Sequence, residues 1–281
     1  MNEDNPDTQS FEKLMGAMYR SHPVCHPILG TRKSISAITP QVLEQAHKAF
    51  YRPDNMLLCV IGDIDPEQVC RTAMEVLPEK QENQVEALRS WEEEMTCPNA
   101  LVTDTMEVAM PTFQLGFKCE PLGRGVEAVR QEILADLAAE ALFGESSALY
   151  LKMYEDGLID SAFGGGFETI EGMAILSASG DSDHPEQVRD AIVQQAQRIV
   201  SEGIEEKDFL RMKRSAMGRR IRDLDSFDST CFRMCAYYFS GFDYFEFPEI
   251  YSQIQVSQVQ EFLQRVVTPE RCSLCVIYPK A

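Results

Sequence analysis

Two stretches of this chain follow the same plan of helix, proline turn and apolar strand, and this repeat limits the fold more than any other feature. The stretches are Leu43–Ile61 and Val259–Ile277, and their matched positions lie 216 residues apart. The matches are Pro53 with Pro269, Cys59 with Cys275, Val60 with Val276, Ile61 with Ile277, Leu43 with Val259, Ala46 with Phe262 and Phe50 with Val266. The repeat has two explanations, a chance similarity between helix–turn–strand units or a duplication. A duplication predicts about one and a half modules, with the front of the first module missing.

Charge excludes several classes of partner. The chain has 281 residues, of which 44% are hydrophobic, enough for a substantial core. Asp and Glu number 45 against 26 Lys and Arg, so the formal net charge is -19. Nucleic acids and anionic lipids gain affinity mainly from Lys and Arg, and we therefore expect neither as a partner. No apolar run is long enough to cross a bilayer, so no membrane span is predicted.

The cysteines indicate a reducing compartment. Nine cysteines are scattered through the chain, and no basic and apolar leader precedes them. An odd number of cysteines without a signal peptide is typical of free thiols, which predicts a cytoplasmic protein.

Secondary-structure signals divide the chain into two blocks. In the first, Thr39 before Pro40 predicts a helix start, and the apolar run Met56–Ile61 predicts a buried strand. Many charges between residues 79 and 99 indicate a connector, after which strands and helices alternate to the C-terminus. The sequence therefore predicts an α+β protein with one module at residues 1–85, a linker at 86–99 and a second module at 100–281.

The histidines do not form a recognisable metal motif. His22 and His26 have the i, i+4 spacing of a helical zinc pair, but Pro23 and Pro27 make a helix there improbable. Neither H-E-x-x-H nor H-x-x-E-H occurs in the chain. Ordinary hydrogen bonding in a loop is the favoured interpretation of both residues.

The cysteine and glycine motifs are also incomplete as sites. Cys272 and Cys275 have CxxC spacing, but residues i and i+3 of a strand point to opposite faces. Cys231 and Cys235 would share a helix face without further ligands. The run 164–166 of three glycines has no following helix and predicts a turn or bulge instead of a phosphate cradle. We find no complete active site from residue chemistry alone.

Several short motifs, taken in order, resemble the pitrilysin/insulinase family of zinc peptidases. The similarity is strongest to its bacterial processing-peptidase-like branch and covers essentially the whole chain. The motifs are Asp4-Asn-Pro-Asp7, His22-Pro23, Pro27-Ile-Leu-Gly-Thr31, Val60-Ile-Gly-Asp63, Leu142-Phe-Gly144, Ser146-Ser-Ala-Leu-Tyr150, Tyr154-Glu-Asp-Gly-Leu-Ile-Asp160 and Cys275-Val-Ile-Tyr-Pro279. Their common order is more specific than any one of them.

The resemblance implies a fold and an absent metal site. Family members contain two homologous α/β modules with mainly antiparallel sheets packed against helices, a LuxS-like and processing-peptidase-like metalloprotease fold, and here the first module would be incomplete. The family's H-x-x-E-H motif lies in the front of that module, and a third ligand, a glutamate, lies just before the segment Asn5-Pro6-Asp7. The resemblance therefore implies no metal ligand and no catalytic residue in this chain. Zinc would belong to the intact family protein, and the chain would be inactive alone.

The resemblance also implies five candidate peptide-binding positions. Active members supply an arginine and, seven positions later, a tyrosine from the second module. Counted from Gly157-Leu158, these positions are Met153 and Asp160, which carry neither the positive charge nor the hydroxyl. The place of a glycine-rich loop in non-catalytic partners is held here by the segment Phe143–Ser147, in which Phe143, Gly144 and Ser146 are the candidate positions.

Two functions follow from the resemblance. The first is a non-catalytic rear portion of a zinc peptidase, which forms a chamber wall and supports binding of a peptide or small protein. The alternative is a catalytically inactive partner or binding subunit of a two-component peptidase. A stand-alone thiol or metal protein is a weaker third hypothesis. The apolar faces of the helices that carry Leu14 and Leu43 would be unpartnered, which predicts a homo-oligomer or a partner peptidase subunit.

Overall fold

A computed structural model describes residues 4–77 and 91–280. The helices are α1 (Pro6–Met18), α2 (Arg32–Ser36), α3 (Pro40–Phe50), α4 (Pro66–Val76), α5 (Val126–Phe143), α6 (Ala148–Glu155), α7 (Pro185–Glu202), α8 (Glu206–Arg222), α9 (Phe227–Ser240), α10 (Phe247–Gln253) and α11 (Val256–Val266). The strands are β1 (Leu101–Met106), β2 (Thr112–Cys119), β3 (Gly164–Ile170), β4 (Met173–Asp181) and β5 (Cys272–Pro279).

The strands form one mixed sheet in the order β1-β5-β2-β4-β3. β1 and β5 are parallel, and every other pair is antiparallel. The central strands β2, β4 and β5 are mostly buried because both sheet faces are covered along most of their length. Helices α5, α7 and α11 pack together and contact the sheet on one side.

Helix α1 covers part of the opposite face. Asn5 begins this helix by accepting hydrogen bonds from the N–H groups of Asp7 and Thr8, and Pro6 occupies the first turn. The apolar cluster below it contains Leu14, Met15, Met18, Tyr19, Met173, Ile175, Cys275 and Ile277. The prediction that the Leu14 helix is exposed is therefore wrong, because α1 buries its apolar face against β2, β4 and β5. The Leu43 prediction is confirmed, since that side chain is 60% exposed.

The two copies of the repeat share their backbone geometry. Helices α3 and α11 begin and end at positions 216 residues apart, as do the 3-10 turns Pro53–Asn55 and Pro269–Arg271. The residues that end the two helices, Tyr51 and Val267, have nearly equal dihedrals, φ -89° and ψ 71° against φ -85° and ψ 74°. The copies differ afterwards. The predicted strand at Met56–Ile61 is wrong: this segment pairs with no strand within residues 4–77 and 91–280, whereas β5 lies between two strands.

The described residues form two compact units. One contains residues 4–28, 91–217 and 247–280, and therefore the sheet and α1. The other contains residues 29–77 and 218–246. The sequence assigns α1 to a first module at 1–85, and residues 86–90 of the predicted linker lie outside the described residues. The division into two modules stays a prediction about homology, since compactness alone does not test it.

Candidate functional site at the edge of the sheet

Strand β3 forms one edge of the sheet. In the described part of the chain it pairs only with β4, so backbone N–H and C=O groups along its other side have no strand partner. The glycines at 164–166 lie within this strand, and the prediction of a turn or bulge at this run is wrong. Side chains of successive strand residues point to opposite faces. At the three glycines, one face of β3 is packed against Phe143 and the other has no neighbouring atom within 4 Å of an added Cβ atom.

On the helix-packed face, Phe143 lies directly against the backbone of β3. A Cβ atom built on Gly165 would lie 2.5 Å from Cγ of Phe143 and 2.8 Å from the carbonyl oxygen of Ser177. Glycine is therefore required at 165 because the aromatic ring occupies the space of a side chain. A Cβ on Gly164 or Gly166 would meet nothing within 4 Å. The opposite face of the strand is consequently bare at these two positions.

Phe143 belongs to a chain of aromatic side chains that runs from the interior to the surface. Its ring meets Phe163 edge-on at 6.3 Å between centroids, and Phe163 lies 6.1 Å from Tyr150. Tyr150 stacks on the exposed Tyr154 at 6.0 Å. Aromatic pairs in offset or edge-to-face arrangements at such spacings contribute stability beyond the burial of their surface. This aromatic cluster fixes the beginning of β3.

The loop after Phe143 is held tightly. Gly144 ends α5 by donating its N–H to the carbonyl of Glu140. Ser147 accepts a hydrogen bond from the N–H of Tyr150 at 3.1 Å and donates to the carbonyl of Leu142 at 3.0 Å. Ser147 thus joins α5 to α6, and its neighbour Ser146, the predicted peptide-binding residue, is exposed and borders a cavity with Gln195 of α7. A serine just before a helical stretch is the signal that could have identified Ser147.

The other two predicted positions have different environments. Met153 is 2% exposed, so its side chain lies in the interior. Its backbone carbonyl accepts the N–H of Leu158. Asp160 is exposed and accepts the N–H of Ala162 at 2.8 Å in a turn that leads to β3. The backbone of Asp160 also bonds Phe163 at 3.3 Å. The structure therefore brings Phe143 and Asp160 to the start of β3, leaves Gly144 beside Glu140 at the end of α5, and places Met153 inside the unit.

A polar groove borders β3 on the α1 face. Its lining includes Asp7, Thr8, Phe11, Gln114, Glu168 and Ser177, with no Lys or Arg among its described lining residues. The Ser177 hydroxyl donates to Oε1 of Glu168 at 2.6 Å, which orients that carboxylate. The groove therefore carries negative charge beside an unpaired strand edge.

A buried ion pair anchors the segment that leads into the sheet. Lys118 is 1% exposed and donates to the carbonyls of Met18 and Glu94, at 2.7 and 2.8 Å, and to Oε2 of Glu93 at 3.1 Å. Glu93 also accepts the N–H groups of residues 20–22. Although burial opposes ionisation of Glu93, the N–H groups of His22 and Ser21 and the Lys118 ammonium lower its pKa to about 2. The sequence interpretation of Glu93 as a connector charge missed this role. A lysine in the apolar strand β2 was the available signal.

The described residues do not provide a zinc site. Residues 4–77 and 91–280 contain no group of three or more His, Cys, Asp or Glu side chains that could hold a metal ion. His22 is engaged through both ring nitrogens, Nε2 with the Glu171 carbonyl at 2.9 Å and Nδ1 as acceptor from the N–H of Val24 at 3.1 Å. A zinc ion therefore does not fit the side chains available here.

The CxxC pair is separated as its strand geometry predicts. Cys275 belongs to the cluster below α1, whereas Cys272 borders a cavity with Arg189 and Val193 of α7. Burial raises the pKa of Cys272 to about 12 and that of Cys275 to about 11. All nine cysteines are free thiols. Among the described helices, none combines the length and apolar character needed to cross a bilayer.

Comparison with known proteins defines the class. The sequence profile described as "Peptidase M16 inactive domain" matches residues 37–216, so the chain belongs to the M16 peptidase family through its inactive domain. It is 30% identical over 286 aligned residues to the uncharacterized zinc protease YmfH of Bacillus subtilis (strain 168), an alignment that covers the whole chain and 66% of that relative. It is also 24% identical to the uncharacterized zinc protease YmxG of Bacillus subtilis (strain 168), over 82% of the chain and 54% of that protein.

Solved structures confirm the predicted fold class. A putative M16-like peptidase from Alicyclobacillus acidocaldarius superposes with a TM-score of 0.93 at 24% identity, over 100% of this chain and 67% of that one. A protease from Helicobacter pylori superposes with a TM-score of 0.84 at 15% identity, over 99% and 68% of the two chains. The chain thus spans about two thirds of the length of these relatives.

Proposed function

We propose that this chain is a non-catalytic portion of a zinc-dependent peptidase that helps to hold an extended peptide in the chamber of the intact protein. Membership of the M16 inactive-domain family supports this function, as does a described side-chain set that does not fit zinc. Met153 is buried, as expected if this module takes no direct part in catalysis. Peptide-bond hydrolysis would depend on zinc held outside these residues.

The open edge of β3 is the observation that carries the peptide-binding role. An extended peptide can add a strand to a free sheet edge through main-chain hydrogen bonds, with little dependence on its side chains. The bare face at Gly164 and Gly166 allows close approach of another backbone. The carboxylates of Asp7 and Glu168 in the adjoining groove favour peptides that carry Lys or Arg. Phe143 would act indirectly, by packing against Gly165 of the strand, and Gly144 by ending the helix that carries Phe143.

A peptide with a modified backbone tests this proposal. The probe is a fluorescein-labelled ten-residue peptide of alternating threonine and lysine, compared with the same peptide N-methylated at two adjacent central residues. The two methyl groups remove one N–H from each edge of the extended peptide without changing its charge. We expect binding, measured by fluorescence anisotropy, to weaken at least about tenfold on N-methylation, which corresponds to one lost hydrogen bond or more.

A charge variant provides the second arm. Glu168→Gln should weaken binding of the unmethylated peptide about threefold, whereas Glu107→Gln, at an exposed carboxylate after β1, should leave it unchanged. Equal affinity of the two peptides for the unaltered protein would exclude strand addition at β3. Such a result would leave family membership intact.

The alternative function is a catalytically inactive partner or binding subunit that presents peptide to an active peptidase subunit. The same edge strand supports it, and the two functions differ in the coding sequence upstream of residue 1. An intact H-x-x-E-H motif there supports the first function, and a degenerate motif supports the second. Nine free thiols support a reducing, cytoplasmic location for either.

A further inference from the structure

Leu151 and Tyr154 form a small exposed apolar patch on α6. The two residues are three positions apart and therefore share one face of the helix. Their exposed fractions are 51% and 52%. Among residues 4–28, 91–217 and 247–280, Tyr154 is the only exposed aromatic residue, since the others there are buried or half-buried. A single exposed ring needs no explanation by itself, but Tyr154 is joined to the free edge of the sheet.

The rings below Tyr154 fix it beside the start of β3. Tyr154 and Tyr150 stack with an interplanar angle of 8°, so one face of the Tyr154 ring is covered while half of the side chain stays exposed. Tyr150 in turn contacts Phe163, the residue immediately before β3. Phe163 has little room to move, because a Cβ atom on Gly180 would lie only 3.0 Å from its Cα atom. Tyr154 is therefore a rigid aromatic platform next to the first residue of the open edge.

The Tyr154 platform and the polar groove lie on opposite faces of β3. Phe163 contacts Phe143 on the helix-packed face, whereas Glu168 lines the groove on the α1 face. Phe163 and Glu168 are five positions apart, and an odd separation along a strand places two side chains on opposite faces. Five residues of extended chain span about 17 Å. A peptide paired with β3 repeats this alternation, so its residues opposite Phe163 and Glu168 also point to opposite faces.

We propose, on the basis of the proposed strand addition at β3, that Tyr154 holds an aromatic side chain of the peptide. This side chain lies five positions along the peptide from the Lys or Arg side chain in the groove. The peptide ring stacks on the exposed part of Tyr154 and covers Leu151. Aromatic pairs contribute affinity beyond the area that they bury, and here that contribution depends on register. The preferred substrates are extended peptides with a basic and an aromatic residue on opposite faces.

Peptides that differ only in spacing test the proposal. The probes are fluorescein-labelled ten-residue threonine peptides that contain one lysine and one tryptophan. In two of them the tryptophan is five positions after or five positions before the lysine, which covers both strand directions. In two matched controls the separation is four, so both side chains share a face. We expect one five-spaced peptide to bind about fivefold more tightly than its control, as measured by fluorescence anisotropy.

Protein variants connect that preference with Tyr154. Tyr154→Ala should remove the preference, and Tyr154→Phe should retain it because the ring is kept. Tyr238→Ala, at an exposed ring of the other unit, should leave it unchanged. Equal affinity of the five-spaced and four-spaced peptides for the unaltered protein would overturn the proposal, as would a preference that survives Tyr154→Ala. The peptide comparison needs no variant, so misfolding of Tyr154→Ala leaves the test intact.

N-methylation separates this proposal from the strand addition on which it rests. The same two central methyl groups are placed on the five-spaced peptides. Sensitivity to N-methylation without a spacing preference leaves strand addition intact and excludes the Tyr154 contact. Insensitivity to N-methylation excludes strand addition, and the proposed Tyr154 contact with it.

Discussion

At the scale of residues, Glu93 and Lys118 couple the stability of the sheet-containing unit to pH. The pKa of Glu93 lies below its ordinary value of 4.5, at about 2, so its ionised form stabilises the folded state above pH 4.5. That contribution is lost as the pH falls through the window between 4.5 and about 2. Glu93→Gln should lower the free energy of unfolding at pH 7 by about 2 kcal/mol, since a charge-assisted set of hydrogen bonds becomes neutral.

Urea unfolding at several pH values measures this effect. The difference between the unaltered protein and Glu93→Gln should narrow steadily as the pH is lowered from 5 toward 3. The control is Glu92→Gln, because Glu92 is exposed and should contribute almost nothing at any pH. A difference independent of pH would contradict an ionised Glu93.

A second residue-scale prediction concerns two buried serines. Oγ of Ser273 is fully buried and lacks a hydrogen-bond partner in the part of the chain that the structure describes. Ser273→Ala should therefore raise the free energy of unfolding by about 1 kcal/mol. Ser182 is the matched case, since its hydroxyl donates to the Leu158 carbonyl at 2.7 Å and accepts the N–H of His184. Ser182→Ala should lower stability by about 1 kcal/mol, and shifts of the same sign in the two variants would refute this assignment.

At the scale of elements, the glycines of β3 differ in what they require. Gly165→Ala should lower the free energy of unfolding by about 1–3 kcal/mol, because the new methyl group would overlap the Phe143 ring. Gly166→Ala meets open space and should change stability by less than about 0.5 kcal/mol. Thermal melts of the two variants give the comparison. Equal losses would mean that the ring does not determine the residue at 165.

The repeat shows which elements a sequence determines locally. Thr39 and Pro40 predicted the start of α3 because capping depends on neighbouring residues alone, and the structure has Thr39 as the cap. The apolar run at Met56–Ile61 resembles that of β5, yet a strand also needs a neighbour to bond, and the described chain supplies one only to β5. Long-range pairing explains the other misses as well. The Glu93 and Lys118 contact and the packing of Phe143 on Gly165 join residues more than 20 positions apart.

At the scale of the whole molecule, residues 29–77 present an exposed apolar surface that predicts contact with another chain or domain. Residues 29–77 expose large side chains that include Leu43, Phe50, Leu58 and Met74. Exposed apolar residues on this scale are normally covered by another chain or domain. We expect the isolated chain to self-associate at micromolar concentration, as measured by light scattering during size-exclusion chromatography. Leu43→Glu with Phe50→Glu should shift it toward monomer, and a monomeric unaltered chain would contradict the prediction.

The central claim is that the residues of this chain contribute structure and peptide binding to a zinc peptidase without holding its zinc. Metal analysis of the purified chain, after equilibration with zinc and removal of loosely bound ions by gel filtration, tests this claim most directly. The account predicts far less than one zinc per chain. One tightly bound zinc per chain, retained during gel filtration, would contradict it.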